Sequence, residues 1–89
     1  MARYFVDTSD GESPIVDDEG IELPDDRAAR IAALAALPEM AKDHIPNGDW
    51  RRFVVRVRRA DGAAVYSATL TFAGGWCESG KDPLEAEFE

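Results

Sequence analysis

A chain of 89 residues is one domain on length grounds, and at this size folding withdraws only about 60–65% of the unfolded surface, enough for one modest core. The net charge of −8 argues against a nucleic-acid partner, because an acidic body repels phosphate at long range. No apolar run approaches the roughly 18 residues needed to span a bilayer, and the single Cys77 leaves no internal disulfide framework, so the expected setting is the cytoplasm, with no membrane partner.

The charge is unevenly spread. Residues 1–49 hold twelve Asp/Glu against four Lys/Arg, whereas residues 50–73 hold five arginines against Asp61 alone. The segment from residue 74 onward is acidic again.

In chain order, "ARYFVDTSDGESPIVDD" opens with a β-rich run, turns at Asp10-Gly11 and continues into a second short run around Ile15 and Val16. Pro14 lacks a backbone donor and marks that second strand as an edge. "DDEG" turns the chain again at Gly20. "LPDDRAARIAALAALPEMAKDHIPNGD" reads as an Ala-rich helix with Asp25 or Asp26 as its cap, and Pro46 and Gly48 as its stop. Ile31, Leu34 and Ala35 are expected on its inner face, with Ala28 below them and Ala41 and Ile45 above. Pro38 is expected to kink or divide it near Leu37.

"VVRVRRADGAAVYSATLTF" reads as a hairpin. A two-residue turn at Asp61-Gly62 pairs Ala60 with Ala63, and then Val57 with Tyr66, Val55 with Ala68, Phe53 with Leu70 and Arg51 with Phe72. The alternate set pairs Arg58 with Val65, Arg56 with Ser67, Val54 with Thr69 and Arg52 with Thr71. Period two makes these the two faces of one hairpin, one apolar and one of arginine and hydroxyl. A slip of one residue destroys the agreement between the strands. The expected core is Phe53, Val55, Val57, Leu70, Phe72, Ile31 and Leu34, with Phe5 or Val6 from the first hairpin.

The expected fold is therefore α+β, of order ββαββ: a four-stranded antiparallel sheet from two hairpins with one helix on one face. Residues 1–73 form the domain and residues 74–89 a mobile acidic tail.

The arginine face has two readings. Charged side chains keep an exposed sheet face and its edge soluble. Alternatively Arg52, Val54, Arg56, Arg58, Val65, Thr69 and Thr71 form an interaction face for an acidic protein, or for a second copy of this chain, since arginine favours interfaces and carboxylate contacts.

Catalytic groupings are not found. His44 stands near the helix end, where its charged form suits the dipole. Cys77, in "GGWCESG", has no neighbouring base in sequence, and "VDDEG" lacks the ligand spacing of a calcium loop. No catalytic, cofactor or metal residue is assigned, and the chain is read as no enzyme.

Tyr4-Phe5, Asp10-Gly11, Asp17 to Gly20, Glu22 to Asp25, the Ala-rich helix, Pro46 to Asp49 and the hairpin at Asp61-Gly62 follow one another in an order that resembles the short bacterial proteins of domain-of-unknown-function family 6894. That resemblance implies a small α+β domain and no catalytic residues. A weaker likeness is to the antitoxin half of HicAB toxin–antitoxin pairs, which also begin with an Asp-Gly hairpin followed by an acidic cap and an Ala/Leu helix. The functional expectation is a non-enzymatic protein-interaction or regulatory module. The alternative, implied by the second likeness, is a nucleic-acid-associated regulator.

Overall fold

The computed structural model describes residues 1–45, 49–77, 80 and 84. Strand β1 spans Ala2–Ser9, β2 Pro14–Ile15 and β3 Ile21–Leu23; helix α1 follows at Asp26–His44, then β4 at Trp50–Arg59 and β5 at Ala64–Ala73. The fold is α+β, with every strand pair antiparallel. The sheet order is β2-β1-β4-β5, and β3 joins β1 on the edge that β2 also uses. β3 is an addition to the four expected strands. It forms because Gly20, at φ +77°, returns the chain to β1, pairing Ala2 with Leu23 and Tyr4 with Ile21. A Cβ on Gly20 would lie 3.0 Å from the Tyr4 carbonyl oxygen and from Phe5, so glycine is required on both conformational and steric grounds.

The central strand, "WRRFVVRVRR", supplies the core. Phe53, Val55 and Val57 alternate along it and are each fully buried. Burying side chains of this size stabilises by about 1.5–3 kcal/mol apiece. Tyr4 and the partly buried Val6 of β1 join them, with Tyr66, Ala68 and Phe72 from β5.

The hairpin register stands from Val57–Tyr66 down to Arg51–Phe72 and Arg52–Thr71, as the alternation requires. It fails at the turn. The Arg59 N–H donates to the Ala63 carbonyl (2.8 Å) and the Gly62 N–H to the Arg59 carbonyl (2.9 Å), so the loop has three residues, Ala60-Asp61-Gly62. Such a loop needs a left-handed backbone only at its last position, where Gly62 sits at φ 94°; a two-residue turn of the primed type needs it twice. The extra residue is absorbed as a bulge, so that Arg58 stands opposite Ala64 rather than Val65.

The helix is one element through Pro38, which lies on its exposed side, where the carbonyl left without a proline N–H donor is open to solvent. Asp25 caps it, accepting from the Ala28 N–H at 2.9 Å. Its inner face differs from the expected one. Ala29, Ala33, Leu37 and Ala41 are the buried positions, Leu34 is half-buried, Ala35 is exposed and Ile31 is 65% exposed. The rotation is fixed at both ends. Tyr4 donates its hydroxyl to Asp26 (2.7 Å) at the start, and the His44 ring lies 6.2 Å from that of Phe53 at the end. Between these anchors the sheet brings the bulk and alanine lets the helix approach closely, so the larger Ile31 is turned away. Leu70 is also 40% exposed, which removes it from the expected core.

The helix-stop residues 46–48 lie outside the described residues, as does most of the segment expected to be a mobile tail. Of that segment, Trp76 is 96% exposed and Cys77 is exposed. No helix among the described residues is long and apolar enough to cross a membrane.

Candidate functional site

The helix covers one face of the sheet. On the other face, period two brings out Phe5, Asp7 and Ser9 from β1, Trp50, Arg52, Val54, Arg56 and Arg58 from β4, and Ser67, Thr69 and Thr71 from β5. Asp7 pairs directly with Arg56, and Ser9 with Val54.

Asp7 is the buried charge of this face, 6% exposed. Its Oδ2 accepts from Arg56 Nε (3.0 Å), Arg56 Nη2 (2.6 Å) and Arg58 Nε (2.8 Å). Its Oδ1 accepts from the Asp17 N–H at 2.9 Å. Burial pushes the Asp7 carboxyl up, but the hydrogen bonds from Arg58, the Asp17 backbone and Arg56 outweigh it and hold the group down at about 2. The same contact raises the Arg58 guanidinium above its ordinary value. Arg58 further donates to the Asp17 carbonyl (2.8 Å) and lies 4.7 Å over the Phe5 ring.

Asp17 completes the network from the gap between β2 and β3. Its carboxylate accepts from the Glu19, Gly20 and Val6 N–H groups at 3.0, 3.1 and 3.1 Å, and these backbone donors lower its pKa. The Val6 N–H would otherwise be an unfilled ladder donor, since no strand residue stands opposite it on that side. The "DDEG" turn is thus a structural clasp rather than an open acidic loop.

The remaining arginines of residues 50–73 divide the same way. Arg59 bonds Asp26 at 2.7 Å, and Tyr4 and Arg59 together hold that carboxyl below its ordinary range. Arg51 reaches the Asp10 carbonyl (3.1 Å) and Glu12 (3.4 Å). His44 comes within 3.6 Å of the Asp10 carboxylate, a partner its sequence position did not suggest. Arg52 differs: it stacks 5.6 Å from the Trp50 ring and has no carboxylate partner among the described residues.

The seven residues expected to form an interaction face are therefore not equivalent. Arg56 and Arg58 are engaged by Asp7, and Val65 packs against the core beside the bulge. Arg52, Val54, Thr69 and Thr71 stay together on the uncovered face. Sequence reasoning missed Asp7, Asp17, Asp10 and Asp26. The available signal was an acid in the middle of a β-rich run, on the same alternation as Phe5 and Ser9.

Three adjoining depressions of about 220, 260 and 210 Å³ run along this face. The first lies between β2 and β4, against Ile15, Val16, Val54 and Arg56; the other two surround Trp50 and Arg52. Exposed apolar side chains flank them: Val16 and Trp50 are each more than half exposed, at 63% and 59%. No cluster of three His, Cys, Asp or Glu fit to hold a metal occurs among the described residues.

Compared with known families, residues 3–71 match the domain of unknown function DUF6894. The chain belongs to this family. No curated protein and no solved structure matches it. In this DUF6894 domain the acidic segment from Asp17 to Asp25 works in the fold. Asp17 clasps β1, Gly20 allows the return into β3, and Asp25 caps α1.

Proposed function

We propose that this domain is a non-enzymatic docking module that binds a protein partner through the uncovered sheet face, at Trp50, Arg52 and Val54. One observation carries the reading: Arg52, which has no carboxylate partner among the described residues, sits beside the exposed Trp50, around adjoining depressions. Tryptophan and arginine are the residues most enriched among binding hot spots. The partner that fits presents an apolar side chain for the groove and a carboxylate for Arg52. The other charged groups of the face are committed to intrachain ion pairs that hold loops and strands together, which supports a scaffold role rather than acid–base chemistry.

The test is site-specific photo-crosslinking in cells, with the probe at Val54 or, for comparison, at the solvent-facing Ile31. Discrete protein adducts from position 54 and none from position 31 are expected. Equal labelling at both positions contradicts the proposal. Salt-sensitive binding of duplex DNA that Arg52→Ser abolishes would favour a nucleic-acid-associated regulator instead.

A further inference from the structure

The two edges of the sheet are treated differently. On one side, β1 is covered by the two-residue β2, which begins with Pro14, and the three-residue β3, while Asp17 takes the Val6 N–H left between them. Short strands, a proline and a side chain filling the ladder are the means by which sheets blunt an edge. On the other side stands β5, "AVYSATLTFA", ten residues without a charge, a proline or a glycine. Its far edge pairs with no strand among the described residues.

The free groups of that edge follow from alternation. The Gly74 N–H donates to the Asp49 carbonyl at 2.6 Å, so Leu70 and Phe72, in the same phase, turn their backbone groups toward β4. Ser67, Thr69, Thr71 and Ala73 then present theirs outward. Side chains divide on the same alternation: Leu70, opposite Phe53, is on the helix side yet 40% exposed, and Thr69 and Thr71 are on the outer side.

We propose that β5 is the edge through which two copies of this chain join, antiparallel, into one continuous sheet. An uncharged strand meets its own copy without repulsion, and a two-fold axis makes the contact self-complementary. The register that uses the exposed apolar group places the axis at Leu70. Leu70 then meets Leu70 of the other copy on the helix side, and Thr69 meets Thr71 on the outer side, both favourable cross-strand pairs. The join sets the two uncovered faces side by side. It does not depend on what those faces bind.

The experiment is sedimentation velocity of the full chain over a concentration series, with Thr69→Pro, Leu70→Lys and Arg52→Ser alongside. Thr69→Pro removes an outward N–H and takes no hydrogen bond from β4. Leu70→Lys keeps an apolar stem but puts two ammonium groups at the axis. Circular dichroism verifies that each variant is folded. A concentration-dependent wild-type dimer is expected, weakened at least tenfold by Leu70→Lys and by Thr69→Pro, and unchanged by Arg52→Ser. In a Cys77→Ser background, Leu70→Cys should form a disulfide-linked dimer under mild oxidation, because non-hydrogen-bonded antiparallel partners lie within disulfide reach. A wild-type chain that stays monomeric at its highest soluble concentration overturns the proposal. So does a dimer indifferent to both edge variants, and so does one lost only with Arg52→Ser, which would assign self-association to the docking face.

Discussion

The two faces of β4 are built from the same ten residues and stabilise the fold by different physics. Phe53, Val55 and Val57 are dry, fully buried and matched to alanines of the helix. Their contribution scales with apolar area and is indifferent to pH. On the other face Arg56 and Arg58 close on the buried Asp7, and through it on the loop that carries Asp17. That contribution depends on geometry and on the charge of one carboxylate. Beyond it, at Trp50 and Arg52, the same face makes no intrachain ion pair among the described residues and remains open. The question posed by a basic strand in an acidic chain is answered largely within the molecule. Four of the five arginines, at 51, 56, 58 and 59, are partnered by Asp and Glu from residues 7–26.

This contrast can be broken most forcefully on the dry side. Phe53→Ala is expected to cost about 3–5 kcal/mol by lost transfer energy and the cavity left behind, measured by denaturant unfolding. On the ionic side, Asp7→Ala leaves two guanidinium groups without their acceptor. A loss of about 2–4 kcal/mol is expected, below the full range for deeply buried pairs because Arg56 is half exposed.

The faces separate further by pH. The Asp7 carboxyl, held at about 2 in the fold, lies below the ordinary value of about 3.9 in the unfolded chain. Its contribution is fully present above about pH 4 and is lost as pH falls through the folded value. Linkage gives about 2 kcal/mol lost between about pH 4 and 2. Asp7→Ala should remove that part of the acid sensitivity, and Phe53→Ala should leave it in place.

The smallest effects fall on residues at the margin of the dry face. Leu70→Ala is expected to cost about 1 kcal/mol and Ile31→Ala under about 0.5 kcal/mol, in thermal unfolding, because both are substantially exposed. A large loss at Ile31 would mean that the helix is rotated toward the face its biggest side chains suggested.

What was legible in the sequence was whatever two neighbouring strands specify jointly. Alternation in residues 51–57 and 66–72 set the register of β4 on β5, since a turn links them and a slip would bury arginine. The Asp25 cap was equally local. Two features were not legible, for a common reason. The helix face is fixed by Tyr4 on Asp26, 22 residues away, and the ionic network by the register of β1 on β4, whose paired residues Asp7 and Arg56 are 49 apart with a helix between. Neither has a local signal. Apolar size pointed to Ile31, and tertiary anchoring overrode it. The loop length at Ala60-Asp61-Gly62 was missed because Asp-Gly serves both two- and three-residue loops.

The account rests on the division within the arginine stripe, between side chains that hold the fold and one that does not. Equilibrium unfolding of Arg58→Ser and Arg52→Ser, at neutral pH and again near pH 3, addresses it directly. The expected result is that Arg58→Ser destabilises the fold at neutral pH clearly more than Arg52→Ser does, with the gap to wild type narrowing near pH 3, because Asp7 of the unfolded chain protonates there first and the lowered carboxyl that Arg58 helps to maintain then contributes less. Arg52→Ser should unfold within about 0.5 kcal/mol of wild type at both pH values. Equal and small losses for the two variants would return the whole stripe to a solvated face and contradict the account.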